Sequence, residues 1–354
     1  MRRRWCAAMA ATTLLATALA GCGSSGDDDG GGTTAAGAKQ PGGVELRVLE
    51  AGGASGEAMQ KAYIAPFEQA TGNSVVRASP SEMGKLQAQV RTGKVTDSIV
   101  ELDSIQAVAA GALGLTEPID YAAVRAAPMD PAARHENALC YQYYSTIPAW
   151  RAGARALPSV QQFFDVDGYP GKRSLPDYPT FALPLAAVAD GVPLDRVFPL
   201  DVDRAFAALD KIKDDVDVWW SSGAQPAQLL RDGEVDYALA WSGRIAAQDG
   251  IEHTYDGGLL DLGCLVVPRG APHVEQANAL LHEYSLPANQ AELARLIPYS
   301  GPAEGMARLV APERAKLLPT GEGNRDVQFL QDPEWWAANY EDVLKRWEAW
   351  KLSR

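Results

Sequence analysis

Between Val44 and Gly111 the chain switches back and forth between two hydrophobic periods, and that alternation limits the folds open to it more than any other feature. "VELRVLE" (44–50) has the period of two expected of a strand. "GGASGE" then turns into a helix from about Glu57, with Phe67 on its apolar face. The helix stops at "TGN", where Gly72 suits a left-handed cap. "SVVRAS" is a second strand. "SEMGKLQAQVRTG" is a second helix, with Ser81 as its expected N-cap and Gly93 as its stop, and "DSIVEL" and "SIQAVAAG" are a third strand and a third helix. Strands separated by helices predict a parallel sheet with right-handed crossovers. Ligands of such sheets sit beyond the carboxyl ends of the strands, here "EAGGAS" (50–55) and "ELDS" (101–104).

A second unit of similar grammar follows. "LCYQYYSTIPAW" (139–150) reads as a long aromatic strand, and "DVWW", "VDYALAW" and "LDLGCLVVPRG" (260–270) as further strands. "FALPLAAVADG", "DVDRAFAALDKIK", "AQPAQLLRDG" and "HVEQANALLHEYSLP" read as helices. In the tail, Trp336, Tyr340, Val343, Trp347 and Trp350 recur at three-to-four spacing, a helix face suited to core packing.

The first residues concern destination. "MRRRW" precedes an uncharged run ending at Gly21, which reads as a secretory signal over residues 1–21, too short to span a membrane. "LAGC" (Leu19–Cys22) resembles the lipobox of bacterial lipoproteins, and that resemblance implies that Cys22 is acylated. The polar, glycine-rich stretch over 22–43 reads as a flexible tether. The expectation is an exported protein, lipid-anchored to the outer face of the cytoplasmic membrane. The net charge of −13 falls to −16 without the three signal arginines. An acidic chain lacks the basic footprint that nucleic-acid binding needs.

Chemistry-bearing motifs are few. Of four cysteines, Cys6 leaves with the signal and Cys22 takes the lipid. Cys140 and Cys264 remain, either bonded or as buried thiols. Histidines 135, 253, 273 and 282 are scattered. No metal cluster, hydrolase elbow, phosphate loop or dinucleotide fingerprint is present, so no metal, cofactor or catalytic residue is predicted. A binding protein is expected rather than an enzyme.

Taken in order, "PFEQATGNSVV", "FPLDVDRAFAALDKIK", "WWSSGAQPAQLLRDGEV", "ALAWSGR", "VPRGAPHVEQANALL", "IPYSGPA" and "WWAANYEDVLKRWEAW" resemble the solute-binding lipoproteins of bacterial ABC importers, in particular the spermidine/putrescine branch. The resemblance covers nearly all of 44–352. It implies a two-lobe α/β fold (type II periplasmic binding protein), each lobe a mixed, mainly parallel sheet flanked by helices, with the ligand cleft between lobes. It maps lobe one to 44–138 and 265–300, lobe two to 143–259, and 301–354 to a segment packing across both. It also implies crossover strands near 139–144 and 262–267. These would make Cys140 and Cys264 neighbours and imply a disulfide. A monomer delivering its ligand to a membrane permease is the implied role.

The same resemblance implies a ligand set. Trp241 of "AWSGR" and Tyr299 of "IPYSGP" would line the cleft, and Asp177 of "SLPDYP" would hold an ammonium group. The chain departs from the polyamine pattern at Thr180, Gly263 and Asp261 and lacks a tryptophan at the "EAGG" turn. Asp261 is a candidate replacement carboxylate. Strand-end placement adds Asp103 and the Gly52–Gly53 turn. Ser221, Ser222 and Gln225 begin a lobe-two helix and are further candidates, with an N-cap as the plainer role for Ser222. Asp103 could equally cap the helix from Ser104. Arg244 decides the ligand. Turned outward, or paired with Asp249 or Asp261, it leaves a polyamine as the reading. Turned inward and unpaired, it calls for a carboxylate on the ligand and hence an ω-amino acid such as γ-aminobutyrate.

Overall fold

The computed structural model describes residues 43–352. The signal segment and Cys22 lie outside the described residues, as does the tether up to residue 42. Eleven strands are present among the described residues: β1 (Glu45–Leu49), β2 (Ser74–Ala78), β3 (Ile99–Asp103), β4 (Arg134–His135), β5 (Ala138–Arg151), β6 (Arg173–Pro176), β7 (Val216–Trp220), β8 (Tyr237–Trp241), β9 (Ile251–His253), β10 (Leu259–Val266) and β11 (Phe329–Leu330). They form one sheet in the order β2-β1-β3-β10-β5-β8-β6-β7, with β11 beside β10 and with β4 and β9 along β5.

The direction of pairing divides this sheet in two. β1 runs parallel to β2 and β3, and β6 runs parallel to β7 and β8. Between these halves β10 and β5 are antiparallel to each other, and each is antiparallel to its outer neighbour. Each half has an apolar cluster of its own. One apolar cluster gathers Leu46, Tyr63, Phe67, Val100 and Leu265; the other gathers Phe163, Leu183, Phe206, Leu239 and Trp347. This is the two-lobe α/β architecture, and β5 serves both halves. Its residues 139–146 pair with β10, and its residues 146–150 pair with β8. Cys140 and Cys264 stand opposite each other in the first of these ladders and are joined by a disulfide.

Local boundaries follow backbone chemistry. Gly72 (φ 71°) and Gly93 (φ 65°) end their helices in the left-handed conformation that costs glycine little. The first helix begins at Gly53 rather than near Glu57, because Gly52 and Gly53, both at positive φ, reverse the chain at once. Ser81 is not a cap: Glu82 remains extended and holds the cap position of the helix Met83–Thr92 without a side-chain bond. In the tail helix Pro333–Lys351, Trp336, Val343 and Trp347 are buried, whereas Tyr340 is 39 % exposed. That helix packs on the helix Ser104–Ala112 and on the helix Pro179–Ala189.

Candidate ligand-binding site

The sheet brings the carboxyl ends of β1 and β3 beside the middle of β10 and β5. Asp103 is the last residue of β3 and caps the helix Ser104–Ala112, its Oδ1 accepting the Gln106 N–H at 2.7 Å. Gly263 of β10 is its cross-strand partner. Asp261, two residues along the same strand, therefore lies on the same face as the diagonal neighbour of Asp103. Asp261 is fully buried. It accepts hydrogen bonds from the Ser104 hydroxyl (2.5 Å), the Tyr144 hydroxyl (2.8 Å) and the Leu262 N–H (2.7 Å). Burial raises the pKa of both carboxyls, and the charge of Asp261 raises Asp103 further, to about 7. Two carboxyls in low dielectric, with no cation paired to them among the described residues, form a seat for positive charge.

The opposite charge comes from across the cleft. β8 ends at Trp241 and passes into the short helix Ser242–Ile245, which carries Arg244. The Arg244 Nη1 lies 3.7 Å from where a Cβ on Gly53 would sit, so the guanidinium reaches the turn beyond β1. Its charge lies close enough to the Tyr299 phenol to oppose the rise in pKa that burial causes there. Its Nε is buried without a partner, and it forms no ion pair with Asp249 or Asp261 among the described residues. Gly243 allows this arrangement: a Cβ there would lie 2.2 Å from the Tyr299 ring. On the lobe-one side the turn is held by Glu101. Its buried carboxyl accepts the Ala51 N–H at 2.8 Å and the Tyr141 hydroxyl at 2.7 Å. Burial raises the Glu101 pKa, and Arg244 opposes that rise.

Aromatic rings line the space between the two charges. Tyr144 lies 6.2 Å from both Trp241 and Tyr299, centroid to centroid. Trp241 is braced from behind by Trp220 at 5.3 Å and Phe181 at 5.9 Å. Its ring also covers Gly223, where a Cβ would approach within 2.3 Å.

Trp241, Arg244, Asp261, Tyr299 and Asp103 thus converge, while two other candidates are engaged differently. Asp177 forms an ion pair with Lys351 at 2.9 Å, so the chain's own C-terminal helix supplies the cation that answers it. Ser222 is exposed and is not an N-cap: Ala224 precedes the helix Gln225–Asp232 without a side-chain cap, and Ser222 contributes only its carbonyl to Gln225. Sequence reasoning missed Tyr144, Gln142 and Glu101. The signal was present in "CYQYYS", where a glutamine interrupts an aromatic strand and shares a face with Tyr144.

Two α/β halves joined by antiparallel strands, with a polar and aromatic cleft at the junction, define a solute-capturing protein. The profile of the bacterial extracellular solute-binding proteins matches residues 62–320, and the chain belongs to that family. It is the substrate-binding protein of an ABC transporter. A curated relative is the gamma-aminobutyric acid-binding protein of Pseudomonas aeruginosa PAO1, 32 % identical over 326 residues, or 88 % of this chain and 92 % of that one. A substrate-binding protein of an ABC transporter from Bradyrhizobium japonicum USDA 110 superposes with a TM-score of 0.83 at 34 % identity, covering 87 % of this chain and 99 % of the other. The Atu4243 GABA receptor superposes with a TM-score of 0.80 at 31 % identity, covering 87 % and 97 %. The spermidine/putrescine protein PotD of Streptococcus pneumoniae shares the fold alone, with a TM-score of 0.68 at 14 % identity over 86 % and 99 %. The resemblance to the polyamine branch is therefore one of architecture. These relatives bind solutes and are not enzymes. Among the described residues no helix is long and apolar enough to cross a membrane.

Proposed function

We propose that this protein captures a zwitterionic ω-amino acid, γ-aminobutyrate or a close analogue, and presents it to an ABC permease. One observation carries the reading: charged groups of opposite sign face the cleft from its two sides, and among the described residues neither is matched by an ion pair. The Asp103–Asp261 pair would take the ammonium and Arg244 the carboxylate. Trp241, Tyr144 and Tyr299 would flank the methylenes. Asp103 ends β3 and Gly53 lies in the turn beyond the neighbouring β1, so the two charges stand at the ends of adjacent strands, where a short aliphatic chain would join them. A diamine would bring a second ammonium to Arg244, and for that reason the polyamine reading gives way. The named ligands of two relatives above 30 % identity support the same choice.

Calorimetric titration with γ-aminobutyrate, putrescine and spermidine tests the reading. γ-Aminobutyrate should bind tightest, and Arg244→Ala should lose it while gaining or keeping putrescine. Tighter binding of putrescine to the wild type would overturn the proposal. Export and anchoring through Cys22 belong to the same proposal on the strength of "LAGC". A Cys22→Ala protein should leave the membrane fraction.

A further inference from the structure

Among the described residues, the buried Oε1 of Gln142 beside this site has no partner. In the ladders, Gly263 is opposite Asp103 on one side and opposite Gln142 on the other. Asp103, Gly263 and Gln142 thus form one row across three strands, and Asp261 and Tyr144 face each other in the next row. Gln142 is 4 % exposed, yet its Oε1 accepts no hydrogen bond. The side chain lies over Gly263. A Cβ there would come within 2.8 Å of Gln142 Nε2 and 2.9 Å of its Cγ. The missing side chain of Gly263 is therefore the space the amide occupies.

Buried acceptors are nearly always bonded, so an orphan one asks for its donor. In the same row stands Asp103, and in the next row of this face Asp261. Asp261 already accepts from Ser104, Tyr144 and Leu262, which fixes its orientation. A primary ammonium carries three N–H donors and no acceptor. Each N-methyl group removes one donor and adds bulk.

We infer that Asp103, Asp261 and the Gln142 Oε1 form a three-acceptor seat for a primary ammonium, with Gly263 as its floor, and that this seat selects primary over N-methylated amines. The inference rests on the amine-bearing ligand proposed above and specifies the end group this site takes. Gln142 becomes a specificity-determining residue, and Gly263 the residue that makes room for it.

The probes are γ-aminobutyrate and its N,N,N-trimethyl analogue, titrated into the wild type and Gln142→Leu. The wild type should prefer the primary amine. Gln142→Leu should weaken γ-aminobutyrate about tenfold, as for one hydrogen bond to a charged group, and leave the trimethyl analogue unchanged, so the preference shrinks. The melting temperature of the ligand-free variant should hold or rise, because an unpaired acceptor has been removed. Gly263→Ala gives a second route, since its Cβ displaces the amide and should shrink the same preference. An unchanged preference in both variants would overturn the seat while leaving the ω-amino-acid reading intact. If the wild type binds putrescine and not γ-aminobutyrate, that reading fails. Putrescine and its derivative trimethylated at both nitrogens then become the pair, and a smaller preference in Gln142→Leu still supports the seat.

Discussion

The two rims of the cleft are made in different ways. The lobe-one rim is a lattice of paired strands. Asp103, Gly263 and Gln142 stand in register, Asp261 is fixed by three donors, and the charged groups are both carboxyls. The lobe-two rim is a strand end that turns into one short helix. There Trp241 and Arg244 come three residues apart, and the chemistry is aromatic and cationic. A rim of buried acceptors is costly without a ligand, because each unmatched carboxyl resists its own charge. A rim with one long cation is adaptable, because the guanidinium can sample positions until an anion fixes it. The difference gives the cleft a polarity, and that polarity favours a zwitterion over a diamine.

The sharpest way to break the comparison is to remove the fixed charge of the acceptor rim. Asp261→Asn keeps the shape and the Ser104 and Tyr144 neighbours but not the anion. It should weaken every amine ligand, amino acid and diamine alike, by about 3 kcal/mol, on the order of 100-fold. Titration of both ligand classes checks this. A loss confined to one class would mean that Asp261 is not the shared ammonium partner.

Much of this asymmetry could be read from the sequence, though unevenly. The alternation from Val44 to Gly111 predicted the parallel half-sheet, and strand-end reasoning reached Asp103, because period and topology are local properties of the chain. "AWSGR" placed an indole and a guanidinium together for the same reason. Asp261 was found as a substituted residue, but not its diagonal relation to Asp103, which depends on the register of two strands far apart in sequence. Gln142 and Tyr144 escaped notice because an aromatic strand of that length reads as core. Only the antiparallel pairing with β10 shows which face is the cleft. Asp177 went the other way: its answering cation, Lys351, lies 174 residues along the chain, beyond any local pattern.

Removing the adaptable cation should have the next largest effect, and a selective one. Arg244→Ala should weaken γ-aminobutyrate by about 2 kcal/mol, roughly 30-fold, the range for a charge-assisted hydrogen bond, and should leave putrescine equal or tighter. A parallel loss of both ligands would erase the proposed difference between the rims.

Support for that cation can be disturbed without touching its charge. Gly243→Ala would set a Cβ 2.2 Å from a Tyr299 ring carbon, and Tyr299 is itself buried. The ring would have to shift, at a cost of about 1–2 kcal/mol as overpacking, and with it the phenol that lies beside the Arg244 charge. Thermal unfolding should show the loss, and γ-aminobutyrate should bind more weakly than to the wild type. A variant of wild-type stability would mean the Tyr299 ring is loosely held.

The smallest expected effect isolates the strain of the acceptor rim with no ligand present. Asp103 is pushed up to about 7 by burial and by Asp261, against an ordinary value near 3.9 in the unfolded chain. The groups facing it are Asp261 on β10, Tyr144 on β5 and Tyr340 from the C-terminal helix, none of them a cation. Between about pH 4 and pH 7 the folded state therefore holds a proton on Asp103 that the unfolded state has released. The contribution to stability is greatest below about pH 4, falls as the pH rises through that window, and is flat above about pH 7. Asp103→Asn cannot titrate, yet asparagine serves equally well as an N-cap, so the bond to Gln106 survives the change. The variant should gain on the wild type between pH 4.5 and pH 7.5. The gain in relative melting temperature should be on the order of 1–2 °C, because Asp103 keeps part of its surface in solvent, which discounts the effect. An offset between the two proteins that is the same at both pH values would mean that the carboxyl pair is not strained when empty, and the acceptor rim would then differ from its partner in sign alone.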